Sequence, residues 1–294
     1  MTNATARRPL RSWMFVPGNR DRFIQKAKTS AADAVLFDLE DGVLPAEKAL
    51  ARKDVARTLG EDWVGPARFV RVNAMTTPWL DDDLEGIVVK GLEGICLTKV
   101  NEPQDIVITC EKLARLEKAR GIAPGTVRIL AAIESAIGLI NAFAIGKADP
   151  RVMGLIFGAE DYALDLGLST KRVEEAAELI YARSAIVNAA TAARILSVDG
   201  VFPDLNNAEG LTRDVVQARR LGFTSKSTFN PRLIDEINRE FSPTAEELEY
   251  ARKIAAGFKE AELKGDASVA VGGQLGDRPI VLRALRLLEQ VGEA

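Results

Sequence analysis

The sequence contains no histidine among its 294 residues. Imidazole is the side chain most often used for proton transfer and for zinc ligation. Acid–base and electrophilic chemistry must therefore rest on carboxylates, Lys, Arg, Tyr or a metal held by oxygen. Cysteine is almost as scarce: Cys96 and Cys110 are the only two, in unrelated contexts and without metal-like spacing. Cys96 lies in the apolar run GICLTKV, where a buried thiol is expected, and the pattern fits a reducing cytoplasm. The net charge of −3 gives no electrostatic case for nucleic acid or an anionic membrane as partner. No apolar run approaches the length of a bilayer span, and the opening MTNATARRPLRSW lacks the apolar segment of a signal peptide. A cytoplasmic location is expected. No GxGxxG follows the first apolar run, which argues against a dinucleotide-binding unit.

What the chain does contain is a large apolar fraction, 47%, beside 28% charged residues, enough for a large core and an ordinary polar surface. Short apolar runs alternate with longer segments of helical period. WMFVP, AVLFDL, ARFVRVN, GICLTKV, RILAAIE, MGLIFGAED, DGVFPDL and FTSKSTF read as strands one to eight. Helices are expected between them, with Asn19 capping the first, Pro45 in the first turn of the second, and a helix stop at Gly222. Eight alternations over roughly 240 residues favour a (β/α)8 TIM barrel; an open doubly wound sheet is the alternative. The expected division is a barrel over residues 1–241 and a C-terminal helical extension over 242–294. The extension has a helix opened by Ser242-Pro243, a kink at Val271-Gly272-Gly273 and a last helix from about Pro279.

Acidic residues mark the ends of several strands: Glu40 and Asp41 in FDLEDGV, Glu134 in AAIES, and Glu160 and Asp161 in GAEDY. In a barrel the loops after the strands share one face, where catalysis gathers. Glu40, Asp41, Arg71, Asn73, Lys99, Glu134, Glu160, Asp161 and Lys226 are expected at that mouth. Clustered carboxylate oxygens suit Mg²⁺ better than Zn²⁺. Glu134 and Asp161, at the ends of neighbouring strands, can share one octahedral ion and leave room for water and a bidentate substrate. Glu40 and Asp41 then hold water around it, while Glu160 is equally compatible with a structural role. Arg71, flanked by apolar residues in FVRVN, suits a carboxylate or enolate oxygen; an ion pair to Glu40 or Asp41 is the other reading. Arg20 and Lys26 can grip phosphates or simply form a solvated helix face.

Taken together, RSWMFVPGNRDRF, FDLEDGV, RVN, LTKV, AAIESAIGLINA, GLIFGAEDYALDLG, YARS, GFTSKSTFNP and AVGGQLGDRPIVLRA resemble, in order, the citrate lyase β-subunit-like branch of the HpcH/HpaI aldolase superfamily. That branch includes citryl-, malyl- and citramalyl-CoA lyases. The resemblance spans residues from about Arg11 to about Ala284. It implies a Mg²⁺-dependent TIM barrel, a homotrimer or hexamer, that cleaves a carbon–carbon bond in a 3-hydroxy-3-carboxyacyl-CoA thioester to acetyl-CoA and a 2-keto acid. It also implies Glu134 and Asp161 as metal ligands and Arg71 as the group that polarises the thioester or keto oxygen. Phe15, Arg20 and Lys26 match positions that hold the CoA nucleotide. Asp277 matches a tail aspartate that reaches a neighbouring subunit's site as acid or base, although a helix-capping aspartate would look the same.

Two positions depart from the family pattern. Thr98-Lys99 stands where many relatives have Pro-Lys, and Phe229-Asn230-Pro231 where they have Ile-His-Pro. The second departure removes the one histidine the motif would supply. Two further readings remain open: a thioesterase acting on a malyl-type CoA ester, and a non-catalytic β component that binds an acyl-carrier partner. A Schiff base on Lys99 or Lys226 is the rival mechanism.

Overall fold

The computed structural model describes residues 9–169, 174–204, 206–263, 269–271 and 274–293. They form two compact units, Pro9–Phe241 and the segment from Ser242 onward. In the first unit β1 (Ser12–Pro17), α1 (Asp21–Ala27), β2 (Ala34–Asp38), α2 (Lys48–Leu59), β3 (Ala67–Val72) and α3 (Leu80–Ile87) lead into β4 (Gly94–Leu97) and α4 (Pro103–Ala119). There follow β5 (Arg128–Ile133), α5 (Ala136–Ile140), α6 (Ala142–Lys147), β6 (Val152–Phe157), α7 (Ala159–Asp165) and α8 (Ile180–Ala193). The unit closes with β7 (Leu196–Asp199), α9 (Ala208–Leu221), β8 (Ser225–Thr228) and α10 (Ile234–Glu240). The eight strands run parallel in sequence order, and β8 returns to pair with β1, so the sheet is a closed (β/α)8 barrel.

Strands of such a barrel are buried on both faces, and for that reason they read as continuous apolar runs. Alternate residues go to different cores. Trp13, Phe15, Ala34, Leu36, Phe69 and Leu130 fill the inside, whereas Met14, Val16, Val35, Phe37, Val70 and Ile129 meet the helices. The next inward step beyond Leu36 is Asp38, beyond Phe69 it is Arg71, and beyond Ala132 it is Glu134. The period of two thus carries an apolar interior directly into a charged mouth.

Helix ends follow local chemistry. Glu102 and Asp105 make a reciprocal capping box on α4, with Pro103 at its start. Ser135 caps α5 through the Gly138 amide, and Asn207 caps α9 through the Gly210 amide. Gly222 ends α9 at φ +100°, a left-handed angle that favours glycine.

Several sequence expectations need correction. The seventh strand is Leu196–Asp199; DGVFPDL supplies only its last residue, because Pro203 cannot donate to a ladder and the run beyond Gly200 leaves the barrel. Asn19 does not cap α1. Arg20 takes that position without a side-chain cap bond, and the Asn19 side-chain Nδ2 donates to Glu47 Oε2 at 2.5 Å. Two short helices, α5 and α6, fill the β5–β6 connection.

The second unit contains α11 (Ala245–Leu263), a hairpin of β9 (Val269–Val271) and β10 (Gln274–Gly276), and α12 (Arg278–Glu289). Ala251 and Ile254 of α11 pack against Val281, Ala284 and Leu288 of α12. The two strands add to the helical extension expected from sequence, and the Gly272-Gly273 kink lies outside the described residues.

Candidate active site

The core of the mouth is a fork between β2 and β3. Arg71 donates through Nε to Asp38 Oδ1 and through Nη2 to Asp38 Oδ2, both at 2.7 Å, and its Nη1 lies 3.2 Å from Glu40 Oε2. Burial opposes the charge on Arg71, but Asp38 and Glu40 outweigh it and hold the guanidinium protonated beyond its ordinary range. The face of Phe15 lies 4.9 Å from the guanidinium carbon. A guanidinium carries five N–H donors. The three contacts leave one on each terminal nitrogen for a ligand.

Asp38 does more than pair. Its Oδ1 accepts from the Glu40 amide at 2.9 Å and its Oδ2 from the Gly42 amide at 3.0 Å, which folds the LEDG loop back over the strand end. A β-carbon on Gly42 would stand 2.2 Å from Asp38 Oδ2, so only glycine closes this turn.

Opposite the fork, Lys99 adopts φ +54°, an unusual angle for a residue with a side chain. This lets one residue address both sides of the mouth. Its amide donates to Glu134 Oε2 at 2.9 Å, and its ammonium lies 2.8 Å from Glu40, 3.5 Å from Asp161 and 3.6 Å from Asp41. Glu134 is buried, and burial, then the charges of Asp161 and Glu40, push its carboxyl up to about 7. Gly158 makes this crowding possible, since a β-carbon there would stand 2.3 Å from Glu134 Cγ. Among the described residues, Asp38, Glu40, Asp41, Glu134 and Asp161 thus outnumber the cations near them, which are Arg71, Lys99 and the buried Lys48.

A supporting layer holds the Leu39–Glu40 backbone. Lys48, buried, donates to the carbonyls of Leu39 and Glu40 at 2.8 and 2.9 Å and lies over the Trp79 ring. Asn73 donates to the Leu39 carbonyl at 2.9 Å and to buried Asp83 at 2.6 Å. Asp38, Lys48 and Asp83 were not among the residues singled out from sequence. For Asp38 the signal was present, because it stands in phase with Ala34 and Leu36.

Other expected residues lie elsewhere. Arg20 and Lys26 are exposed along α1, and Glu160 is exposed on α7. Asp277 belongs to the second unit, where it caps α12 by accepting from the Ile280 amide at 3.4 Å. Lys226 is not a mouth residue: it is 1% exposed and lies 2.6 Å from both Asp199 and Asp214. Arg183 completes this buried quartet at 2.7 Å from Asp199 and 3.1 Å from Asp214. A Schiff-base lysine needs a neutral amine. Lys226 is locked between carboxylates, while Lys99, despite some burial, is held protonated above its ordinary range by Glu40 and Asp161, so neither is set up for that chemistry. Cys96 and Cys110 are buried free thiols, and burial pushes Cys110 up to about 12. The two departures also find places. Thr98 donates to the Val72 carbonyl at 3.0 Å, and Asn230 accepts from the Arg232 amide at 3.1 Å, capping a short turn.

A closed (β/α)8 barrel with a fixed arginine among buried carboxylates at the carboxyl ends of its strands defines a barrel class with an oxygen-lined, cation-seeking mouth. Residues 11–231 match the description HpcH/HpaI aldolase/citrate lyase. The chain is 39% identical to the citrate lyase subunit beta of Leuconostoc mesenteroides subsp. cremoris over 280 residues, 95% of this chain and 92% of that protein. It is 34% identical to a (3S)-malyl-CoA thioesterase of Cereibacter sphaeroides, covering 95% of this chain and 94% of that one. Among solved structures it resembles protein CitE of Mycobacterium tuberculosis in complex with magnesium, acetoacetate and coenzyme A, with TM-score 0.78 and 31% identity over 96% of this chain and 98% of that one. The chain belongs to the HpcH/HpaI aldolase/citrate lyase family, on its citrate lyase β-subunit-like branch.

Proposed function

We propose that the chain is a Mg²⁺-dependent carbon–carbon lyase that splits a 3-hydroxy-3-carboxyacyl-CoA thioester, of the citryl, citramalyl or malyl type, into acetyl-CoA and a 2-keto acid. The observation that carries this reading is the mouth itself: a buried arginine with two unused donors beside carboxylates that outnumber the nearby cations.

The donor set fits a hard divalent cation. Glu134 and Asp161 offer carboxylate oxygens, and the elevated Glu134 carboxyl marks a place where added positive charge is favoured. Among the described residues no group of three or more carboxylate or thiol ligands is assembled. The protein would then supply two ligands, leaving the other positions to water and substrate, which is usual for Mg²⁺. When bound, Mg²⁺ supplies a Lewis acid for the keto-acid half.

The chain's own residues do the rest. Cleavage removes the proton of the 3-hydroxyl, sends the electrons of the C2–C3 bond into the thioester enolate and returns a proton to C2. Arg71 places its two remaining N–H donors where the enolate oxygen gains charge, and Asp38 fixes them there before the reaction begins. Glu40 and Asp41 hold water around the site. Asp277 of a neighbouring subunit shuttles the proton at carbon. Arg20 and Lys26 hold the CoA nucleotide, while Phe15, 4.9 Å from the Arg71 guanidinium, meets the same ligand at its thioester end and not at the nucleotide. The buried reduced thiols suit a cytoplasmic enzyme.

Incubation with candidate CoA esters, following keto acid and free thiol separately, tests this reading. Keto acid together with acetyl-CoA, lost in excess EDTA and restored by Mg²⁺, is the expected result. Free CoA without keto acid would establish the thioesterase reading, which the Cereibacter relative favours. Turnover only of carrier-bound esters, or none, would point to the β component of a larger complex.

Arg71→Lys keeps the charge and loses the planar fork. Its kcat should fall by at least about 100-fold, the scale of removing one such stabiliser. A change in KM alone would mean uniform binding.

The same reading makes the enzyme a homotrimer or hexamer. Ile137, Ile140, Phe143, Leu164 and Tyr181, on neighbouring helices of the barrel, are 51–79% exposed, an apolar surface suited to a second copy. Asp277→Ala and Glu134→Gln subunits, each inactive alone, should regain activity when mixed and exchanged, because some sites then combine intact Glu134 and Asp277. Exchange without recovery would leave Asp277 as the cap of α12.

A further inference from the structure

The mouth has two chemically different halves. From β2 to the start of α7 it is charged, with Asp38, Arg71, Lys99, Glu134 and Asp161. Where β8 meets β1 it is aromatic. The register pairs Trp13 with Ser227 and Met14 with Thr228, so Phe229 follows beside Phe15. The two rings lie 5.1 Å apart, and Phe15 in turn lies 4.9 Å from the Arg71 guanidinium. Phe15 is 9% exposed, but Phe229 is 49% exposed.

The chain after Phe229 is fixed. The Asn230 amide donates to Thr228 Oγ1 at 3.0 Å, the Asn230 side chain accepts from the Arg232 amide, and Pro231 opens the turn. Asn230 is thereby occupied in closing the strand. Phe229 is the residue left with an open face on Phe15, an apolar surface whose ordering cost the fold has already met.

We propose that Phe229 grips the thioester arm of the substrate on the CoA side of its sulfur. The inference rests on the lyase reading for the place of the carbonyl, and its logic is one of reach. With the thioester oxygen at Arg71, the sulfur bonded to the same carbon falls over Phe15, where sulfur–aromatic contact is favourable. The methylenes beyond the sulfur then arrive at Phe229. The keto-acid half, drawn to the charged side, does not touch it. Phe229 therefore selects for thioesters over free acids and is indifferent to which keto acid is released.

The test compares the intact enzyme with Phe229→Ala and Phe229→Tyr, using CoA esters, the corresponding N-acetylcysteamine thioesters and titration with free CoA. Phe229→Ala should raise KM for the CoA ester and for the truncated ester by the same factor, roughly tenfold, the scale of one lost aromatic face. Kcat and the affinities for Mg²⁺ and keto acid should stay unchanged, and Phe229→Tyr should restore the wild-type values. A loss confined to the full CoA ester would overturn the proposal, because the contact would then lie at the nucleotide end. Loss of keto-acid or Mg²⁺ affinity in Phe229→Ala would overturn it as well, showing that Phe229 only props Phe15 and Arg71. CoA titration separates the two levels. Wild-type enzyme that binds CoA but cleaves no ester would sink the lyase reading, and tenfold weaker binding by Phe229→Ala would still support the contact. Wild-type enzyme that binds neither CoA nor the truncated ester would remove both.

Discussion

Glu134→Gln should abolish turnover and, in EDTA at pH 8, raise the melting temperature. The loss follows from removing one of the two carboxylates placed to hold Mg²⁺. The gain follows from what ionised Glu134 costs the metal-free protein. Its carboxyl is pushed up to about 7 by burial and by Asp161 and Glu40, against about 4.3 in an unfolded chain. An acid whose folded value lies above its unfolded value is stabilising only when protonated. Stability of the metal-free protein should therefore be highest below the unfolded value, decline as pH rises to about 7, and level off beyond. The displacement corresponds to roughly 4 kcal/mol at and above pH 8. Gln keeps an oxygen for the Lys99 amide but carries no charge, so it should recover much of this, or several degrees in Tm. Thermal unfolding in EDTA across pH 5 to 8 checks it. A Glu134→Gln protein less stable than the parent at pH 8 would show that the carboxylate is needed to hold the barrel together.

Lys226→Met should be the most destabilising of the substitutions considered. Lys226, Arg183, Asp199 and Asp214 tie α8, β7, α9 and β8 together with almost no solvent contact. Removing one cation leaves Asp199 and Asp214 sharing Arg183, and breaking a buried pair this way costs about 3–5 kcal/mol. At about 2–4 °C per kcal/mol, Tm should fall by roughly 10 °C. Burial would raise the Asp199 carboxyl, but Lys226 and Arg183 outweigh it and hold it below the usual range. That stabilisation is present above the unfolded carboxylate value and is lost as pH falls through the lowered one. The gap between Lys226→Met and the parent should accordingly be full at neutral pH and narrow in acid. A gap that is small at neutral pH would mean that the helices and strands hold without the quartet.

Most of the barrel was legible because parallel strands buried on both faces read as uninterrupted apolar runs. AVLFD and RILAAI are examples. β7 was misplaced because two of its four residues, Ser197 and Asp199, are buried polar groups turned toward the helices, whereas the following VFP is more apolar and belongs to a loop. Strand-end position pointed to Glu40, Glu134 and Asp161, but Asp38 escaped notice although it alone makes the fork with Arg71. Its importance depends on which way a side chain points, a matter of phase relative to Leu36. The place of Lys226 depended on Asp199 and Asp214, which reach it from another strand and another helix. No local pattern carries that information.

The alternation that turns an apolar interior into a charged mouth has a consequence for how such a protein can change over generations. Val70 and Val72 face the helices while Phe69 and Arg71 face inward. Deleting one residue from the middle of β3 would leave its composition almost untouched and its length short by one. It would also exchange the two faces beyond the deletion, sending Arg71 outward among aliphatic side chains and bringing Val72 to the mouth. New chemistry in this scaffold must therefore arise by replacing residues in place, or by lengthening the loops, and never by a shift of reading along the strands.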